Sequence, residues 1–357
     1  MSSPANNRKS VFRQILSHKL GLFGVIWVFL CLVIAVLGYA ITPDDSPLAN
    51  RINLHAAFLK PMSKVMLYAP DNTQATDMSF FSRMISGNPA TANDKVYNRK
   101  EQRNDSFFLW FDKAESAPFL VAEGLQSSDS KRFHKPFTFY LGSDNYGRDV
   151  LSRLLLGTRI SLSVGFIAVV ISLVLGVVLG LIAGYYGKWS DKLIMWFASV
   201  LWSLPTLLLV LAFSFALGKG FWQIFVAIGL SSWVELTRVV RGEVISIKEK
   251  EYIKAAKLLG VNDFSLLFRH ILPNVLGSVI VICTANFASA ILLEAGLSFL
   301  GLGVKPPTPS WGIMINEYYG FILLGKAYLA LVPGFTIMML VVALNFIGIA
   351  LRDVLNK

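Results

Sequence analysis

The stretch Glu251-Tyr252-Ile253-Lys254-Ala255-Ala256-Lys257-Leu258-Leu259-Gly260, continued by Asp263-Phe264 and an apolar run to His270-Ile271-Leu272-Pro273-Asn274, is the long cation-rich segment of a chain that otherwise suits lipid. Residues 243–259 are rich in good helix formers and predict one helix. Gly260 is placed to end it, because glycine accepts the left-handed conformation past a helix C-terminus. Asn262 or Asp263 can cap a second helix over 265–271, and Pro273 is expected to interrupt that helix. The prediction is two helices joined by a tight elbow. Ala255 and Ala256 are small enough to let another surface lie close. Leu258, Leu259, Leu266, Leu267 and Phe268 offer apolar contact area. The same pattern suits an amphipathic helix resting on lipid headgroups, and the pattern alone does not separate the two.

Outward from the elbow, the chain is apolar. It has 357 residues, 54% hydrophobic and 15% charged, where a soluble domain carries roughly 25% charged residues. A helix crossing a bilayer satisfies its own backbone and needs about 20 mostly apolar residues. Six segments qualify: 20–41, 160–186, 193–217, 221–236, 276–300 and 328–349. The fourth ends early at Glu235 and Arg238, and its helix is expected to run on past the membrane. The first is too long for a signal-peptide core and has no small-residue cleavage site after it, so it reads as a retained span.

Charge sets the orientation. Arg8, Lys9, Arg13 and Lys19 precede the first span with no acidic residue among them, which predicts a cytosolic N-terminus. Six crossings then put Lys188, Lys192, the elbow with Arg238, Arg241, Lys248, Lys250, Lys254, Lys257 and Arg269, and finally Arg352 and Lys357 on the inside. The outer turn Gly218-Lys219-Gly220 holds one cation. The net charge of +11 is mostly this inside bias, so nucleic-acid binding is not needed to explain it.

The chain therefore divides into a cytosolic segment (1–19), a first span (20–41), an external insertion (42–159), a five-helix core (160–351) holding the loop 237–275, and a cytosolic tail (352–357). The insertion is far longer than an ordinary connection. Pro61, Pro70, Pro89 and Pro118 are spread through it, but clusters such as Phe107-Phe108-Leu109-Trp110-Phe111 argue against simple disorder and for a small external domain or cap. Asn104-Asp105-Ser106 matches a glycosylation acceptor and reads as chance. Gly176, Gly180 and Gly184 share a four-residue spacing in the second span, which lets two helices approach closely. Pro205 should kink the third. Cys31 and Cys283 fall inside spans and read as small packing residues.

No catalytic constellation is legible. His18, His55, His134 and His270 lack metal-ligand spacing. Gly320-Phe321-Ile322-Leu323-Leu324-Gly325-Lys326 fits the first part of a phosphate-binding loop, but Ala327 stands where the magnesium-binding Ser or Thr belongs. If ATP drives this protein, another chain hydrolyses it. No internal repeat is evident, which weakens an ion-coupled secondary transporter, and the spans are poor in coupling-ion ligands or pore lining. A membrane-anchored enzyme acting through the 42–159 segment has no residue set to support it.

The run from Glu251 to Gly260, followed by Leu272-Pro273-Asn274, resembles the Glu-Ala-Ala loop of ABC importer permeases. Leu141-Gly142-Ser143-Asp144-Asn145-Tyr146-Gly147-Arg148-Asp149-Val150-Leu151-Ser152-Arg153 and the run Leu297-Ser298-Phe299-Leu300-Gly301-Leu302-Gly303 through Pro309-Ser310-Trp311-Gly312 resemble the C-type permease of dipeptide, oligopeptide and nickel importers. Thr237-Arg238-Val239-Val240-Arg241-Gly242-Glu243 fits as well, so the resemblance covers the chain from about Leu141 onward. It implies an all-α integral membrane protein of the type I importer fold, with six transmembrane helices and an enlarged external segment between helices 1 and 2. It implies ATPase coupling through Glu251, Ala255, Ala256, Gly260, Asp263, Phe264 and Pro273. The implied partners are a homologous B-type permease, two ABC ATPases carrying the ATP and magnesium, an external binding protein and membrane lipid in a bacterial inner membrane. The implied cargo is a short peptide, with nickel or another small solute as the alternative. Two departures stand out: the insertion is long for this family, and Gly348-Ile349-Ala350-Leu351-Arg352-Asp353 lacks the acidic residue usual after that glycine.

Other residues keep two readings. Asp144, Arg148, Asp149 and Arg153 suit ion pairs and caps that hold the second span, or substrate contact. Glu294, in the outer half of the fifth span, suits contact with a peptide ammonium or pairing across a subunit interface. Asn286 and Pro205 are further pathway or interface candidates.

Overall fold

The computed structural model describes residues 11–68, 79–88, 94–103, 106–113, 116–126, 134–218 and 222–355. Arg8, Lys9, Pro70, Pro89, Asn104, Asp105, Lys219, Gly220 and Lys357, on which parts of the sequence reading fall, lie outside the described residues. The chain forms two compact units: residues 1–30, 161–303 and 335–357 make one, and 31–160 with 304–334 the other.

The helices, in chain order, are α1 (Val11–Ser17), α2 (Lys19–Ile41), α3 (Phe80–Ser86), α4 (Val150–Tyr186), α5 (Lys188–Trp202), α6 (Thr206–Ala216), α7 (Gln223–Lys248), α8 (Glu251–Leu258), α9 (Asp263–Ser265), α10 (Leu272–Phe299), α11 (Trp311–Tyr318) and α12 (Tyr328–Leu355). Five helical stretches among the described residues are long and apolar enough to cross a membrane. The pair α5 and α6 makes a sixth if taken as one span bent by 99°. Pro205 sits at that break in an extended conformation. A proline has no backbone N–H to continue the helix, so the expected kink becomes a full corner.

In the first unit the glycine stripe of α4 packs on α7. A Cβ at Gly176 would lie 2.8 Å from Leu236, at Gly180 2.6 Å from Val240, and at Gly184 2.7 Å from Val244. Leu236, Val240 and Val244 are themselves fully buried. With no water to drive apolar contact inside a bilayer, such backbone approach is how dispersion holds two spans together. Arg241 on α7 holds Asp191 on α5 through two hydrogen bonds, Nη2 at 2.7 Å.

The second unit contains the insertion. Around the helices its described residues form two three-stranded antiparallel sheets. One is ordered β2 (Lys95–Tyr97), β1 (Ser63–Tyr68), β6 (His134–Phe139), and the other β3 (Arg99–Arg103), β4 (Ser106–Lys113), β5 (Ser116–Gln126). Alternation along the strands sends Val65 and Leu67 of β1 inward with Val96, Phe111 and Phe139. Leu109 and Phe111, from the aromatic cluster read as a sign of order, are both buried. The helical class belongs to the apolar spans, and the described residues between α2 and α4 are largely β.

Candidate functional site

The elbow departs from its sequence reading in three ways. The single helix expected over 243–259 is two: α7 ends at Lys248, Lys250 turns extended, and α8 begins at Glu251. The break lets Ile253 turn into the core with Val244, Ile247, Leu266 and Ile271. Secondly, Pro273 does not interrupt the second helix. A wide π turn over Leu266–Ile271 leads straight into α10, which carries its proline in the first turn, where a missing N–H costs least. Thirdly, Leu266 and Leu267, read as contact area, are buried in the core.

Gly260 ends α8 as expected, at φ +81°. Its N–H donates to Lys257 O (3.1 Å) and that of Val261 to Ala256 O (3.2 Å), the paired bonds that satisfy the last carbonyls of a helix closed by a left-handed residue. Asn262 caps α9, its Oδ1 accepting from Ser265 N at 2.7 Å. Tyr185 at the end of α4 donates its hydroxyl to Asp263, and Lys248 Nζ donates to Tyr185 O at 2.6 Å, so the elbow is fastened to α4.

This fastening displays apolar side chains. Leu258 is 89% exposed, Leu259 85% and Phe264 69%, with the Phe268 ring 4.4 Å from that of Phe264 between centroids. Glu251 and Ala255 are exposed and Ala256 half-buried beside them. An exposed apolar patch beside Lys254 and Lys257 suits a docking surface for another protein. The Lys254–Glu249 pair on its edge is largely exposed and adds little stability.

In the second unit Asp144, Arg148 and Arg153 are joined through Glu317 in one ionic lattice, and Asp149 lies next to them in sequence as a helix cap. Asp144 Oδ1 accepts from the backbone N–H of Tyr146 and Arg148 (both 2.9 Å), and its Oδ2 from Arg148 Nε (2.6 Å) and the Tyr318 hydroxyl (3.0 Å). Glu317 Oε2 accepts from Arg148 Nη2 (2.9 Å) and Arg153 Nη2 (2.8 Å). Asp149 caps α4, accepting from Ser152 N (2.8 Å) and Oγ (2.6 Å). Burial works against the Arg148 charge, yet Asp144 and Glu317 together hold its pKa above the ordinary arginine range. Burial pushes the Asp149 carboxyl up to about 6; the Ser152 bonds pull it down, and Asp44 and Asp144 add to the rise. The Tyr318 hydroxyl is pushed well up, by burial first.

Glu317 and Tyr318 escaped the sequence reading. The available signal was one acidic residue, Glu317, in the otherwise uncharged run 311–325. The Gly320–Lys326 segment read as a phosphate-loop decoy follows α11 as a short 3-10 turn over Tyr319–Ile322. Glu294 and Asn286 lie buried on α10, back in the first unit. Ser298 Oγ donates to Glu294 Oε1 at 2.7 Å, and Asn286 Nδ2 donates to Ser232 O of α7 at 3.4 Å. The elbow residues thus lie on the first unit, while Asp144, Arg148 and Arg153 join one buried lattice in the second and Asp149 caps α4 there.

Residues 176–357 match the family described as the inner membrane component of binding-protein-dependent transport systems. The glutathione transport system permease protein GsiD of Pectobacterium atrosepticum is 41% identical over 217 residues, 61% of this chain and 72% of that protein. The dipeptide transport system permease protein DppC of Alkalihalophilus pseudofirmus is 41% identical over 242 residues, 67% of this chain and 79% of its own length. An inward-facing structure of the methionine transporter MetNI aligns with a TM-score of 0.47 and 16% identity, covering 57% of this chain and 97% of that one. With the family match spanning the α4–α7 packing, the elbow and the last span, this chain belongs to the inner membrane components of binding-protein-dependent transport systems.

Proposed function

We propose that the chain is one half of the translocation path of an ATP-driven importer of short peptides, and that α8 and the turn after it are the handle by which an ATPase moves it. The observation that carries this reading is the exposed Leu258, Leu259 and Phe264 patch beside the Gly260 turn and the Tyr185–Asp263 bond. A headgroup-resting helix would not need its tip fastened to α4. Relatives named for dipeptide and glutathione transport support the peptide cargo.

The elbow and both termini face the cytosol, and the 42–159 insertion faces outward. A homologous permease supplies the other half of the path, an external binding protein delivers substrate, and ATP with magnesium sits in two separate ATPases. ATP binding draws the ATPases together, and differential contacts at the elbow shift the permease between its states. Glu251, Ala255, Ala256 and Phe264 meet the ATPase, while Gly260, Asp263 and Pro273 shape the surface they sit on. Glu294, Asn286 and the Pro205 corner belong to the path or its walls. Asp144, Arg148, Asp149 and Arg153 hold the outer end of α4.

The test is an Ala256→Cys variant in the assembled importer. A crosslink to an ATPase subunit that changes in yield with ATP is expected. Capture of lipid alone, under active import, would overturn the reading.

A further inference from the structure

The outer end of α2 and the short helix α3 are joined by a single guanidinium. Arg159 of α4 donates through Nε to Ala35 O (2.5 Å), through Nη2 to Val36 O (3.0 Å) and Met84 O (2.8 Å), and through Nη1 to Ile85 O (3.5 Å). Tyr39 covers the same group, its ring centroid 5.1 Å from the guanidinium carbon. The carbonyls at 35 and 36 belong to a membrane span, so those at 84 and 85 are tied to the depth at which that span ends. α2 leaves its helical path at Gly38 (φ 13°, ψ −92°), where a Cβ would lie 2.6 Å from the Arg159 guanidinium.

This depth gives the exposed residues a meaning. Ile85 on α3 is 74% exposed and Val36 on α2 is 64% exposed, with Leu32 and Ile41 of α2 also exposed. Only 17% of the apolar stretch of α2 is buried, less than in the four other single-helix spans among the described residues. Beside them a cavity of about 200 Å³ is lined by Tyr39, Ala40, Asp45, Arg83, Met84 and Asn88. An apolar residue at the end of a span, next to a polar niche holding an arginine, is the arrangement of a helix lying in the bilayer interface.

We propose that α3 is an interfacial helix seated on phospholipid of the leaflet at that end of α2, with acyl chains against Ile85 and Val36 and the phosphate level at Arg83. The occupant is lipid because the Ile85 surface continues the lipid-facing side of α2. The insertion is thus steadied by the membrane itself.

The experiment places a benzophenone amino acid at position 85 of the full chain in the assembled importer, in native membranes. Mass analysis after irradiation is expected to find phospholipid adducts. An adduct with another protein subunit, or no intermolecular adduct, would overturn the proposal. A second measurement uses Ile85→Cys carrying a bimane, with Cys31→Ala and Cys283→Ala, in nanodiscs. Quenching by a shallow lipid-borne nitroxide at least about twofold stronger than by aqueous iodide is expected for a helix at this depth. The reverse order places Ile85 in water and sinks the idea.

Discussion

Arg153 and Glu317, 164 positions apart in sequence, meet at 2.8 Å with the arginine fully buried. Arg148 shares the same carboxylate oxygen, so Glu317 compensates two guanidiniums at once. Removing one partner of such a cluster leaves buried charge uncompensated. Glu317→Ala is expected to cost about 3–5 kcal/mol, read as a lower melting temperature of the purified importer. Arg153→Leu added to it should cost less than the sum of the two single changes.

Asp149 supplies a pH dependence. Its folded carboxyl, at about 6, keeps a proton that the unfolded chain has lost above the ordinary aspartate range. The folded state therefore binds more protons between roughly pH 4 and 6, and stability falls as pH rises through that window. Asp149→Asn keeps an acceptor for Ser152 and should flatten the fall, by about 2–3 kcal/mol at most between the two ends. Melting temperatures of both proteins at pH 4.5 and 7 decide it; parallel curves would contradict the assignment.

Packing of α4 on α7 can be tested at Gly180. Gly180→Leu forces a side chain into Val240 and should cost about 1–3 kcal/mol, seen as loss of assembled importer at raised temperature. Gly242, with nothing within 4 Å of its would-be Cβ, is the comparison site, and Gly242→Ala should assemble normally.

For the elbow, Gly260→Pro removes the N–H that bonds Lys257 O and imposes a negative φ where +81° is needed. Glu251→Lys reverses the charge at the start of α8. Both should abolish uptake with membrane levels unchanged, measured by transport and immunoblot. Normal transport by both would count against the coupling role.

Sequence pattern and structure agree where physics is local. Apolar run length located the spans, Pro205 the corner, Gly260 and Asn262 the elbow's turn and cap. What escaped depends on distant partners. Nothing near Lys250 announces a break, because the gain comes from burying Ile253 against Leu266 and Ile271. Glu317 became meaningful only once Arg148 and Arg153 stood beside it. The strands of the insertion were hidden by short runs and by irregular register along β4 and β5, which blur a period of two.

The backbone N–H of Asp44, two residues beyond Thr42, donates to Ser152 Oγ at 2.9 Å. The polypeptide thus leaves for its hundred-residue excursion and returns at nearly one point. A segment whose two ends are already clasped can be lengthened, shortened or exchanged with little disturbance to its surroundings. The Ser152 hydroxyl is thus the clasp at the neck of this segment, where the outgoing and returning strands of chain meet.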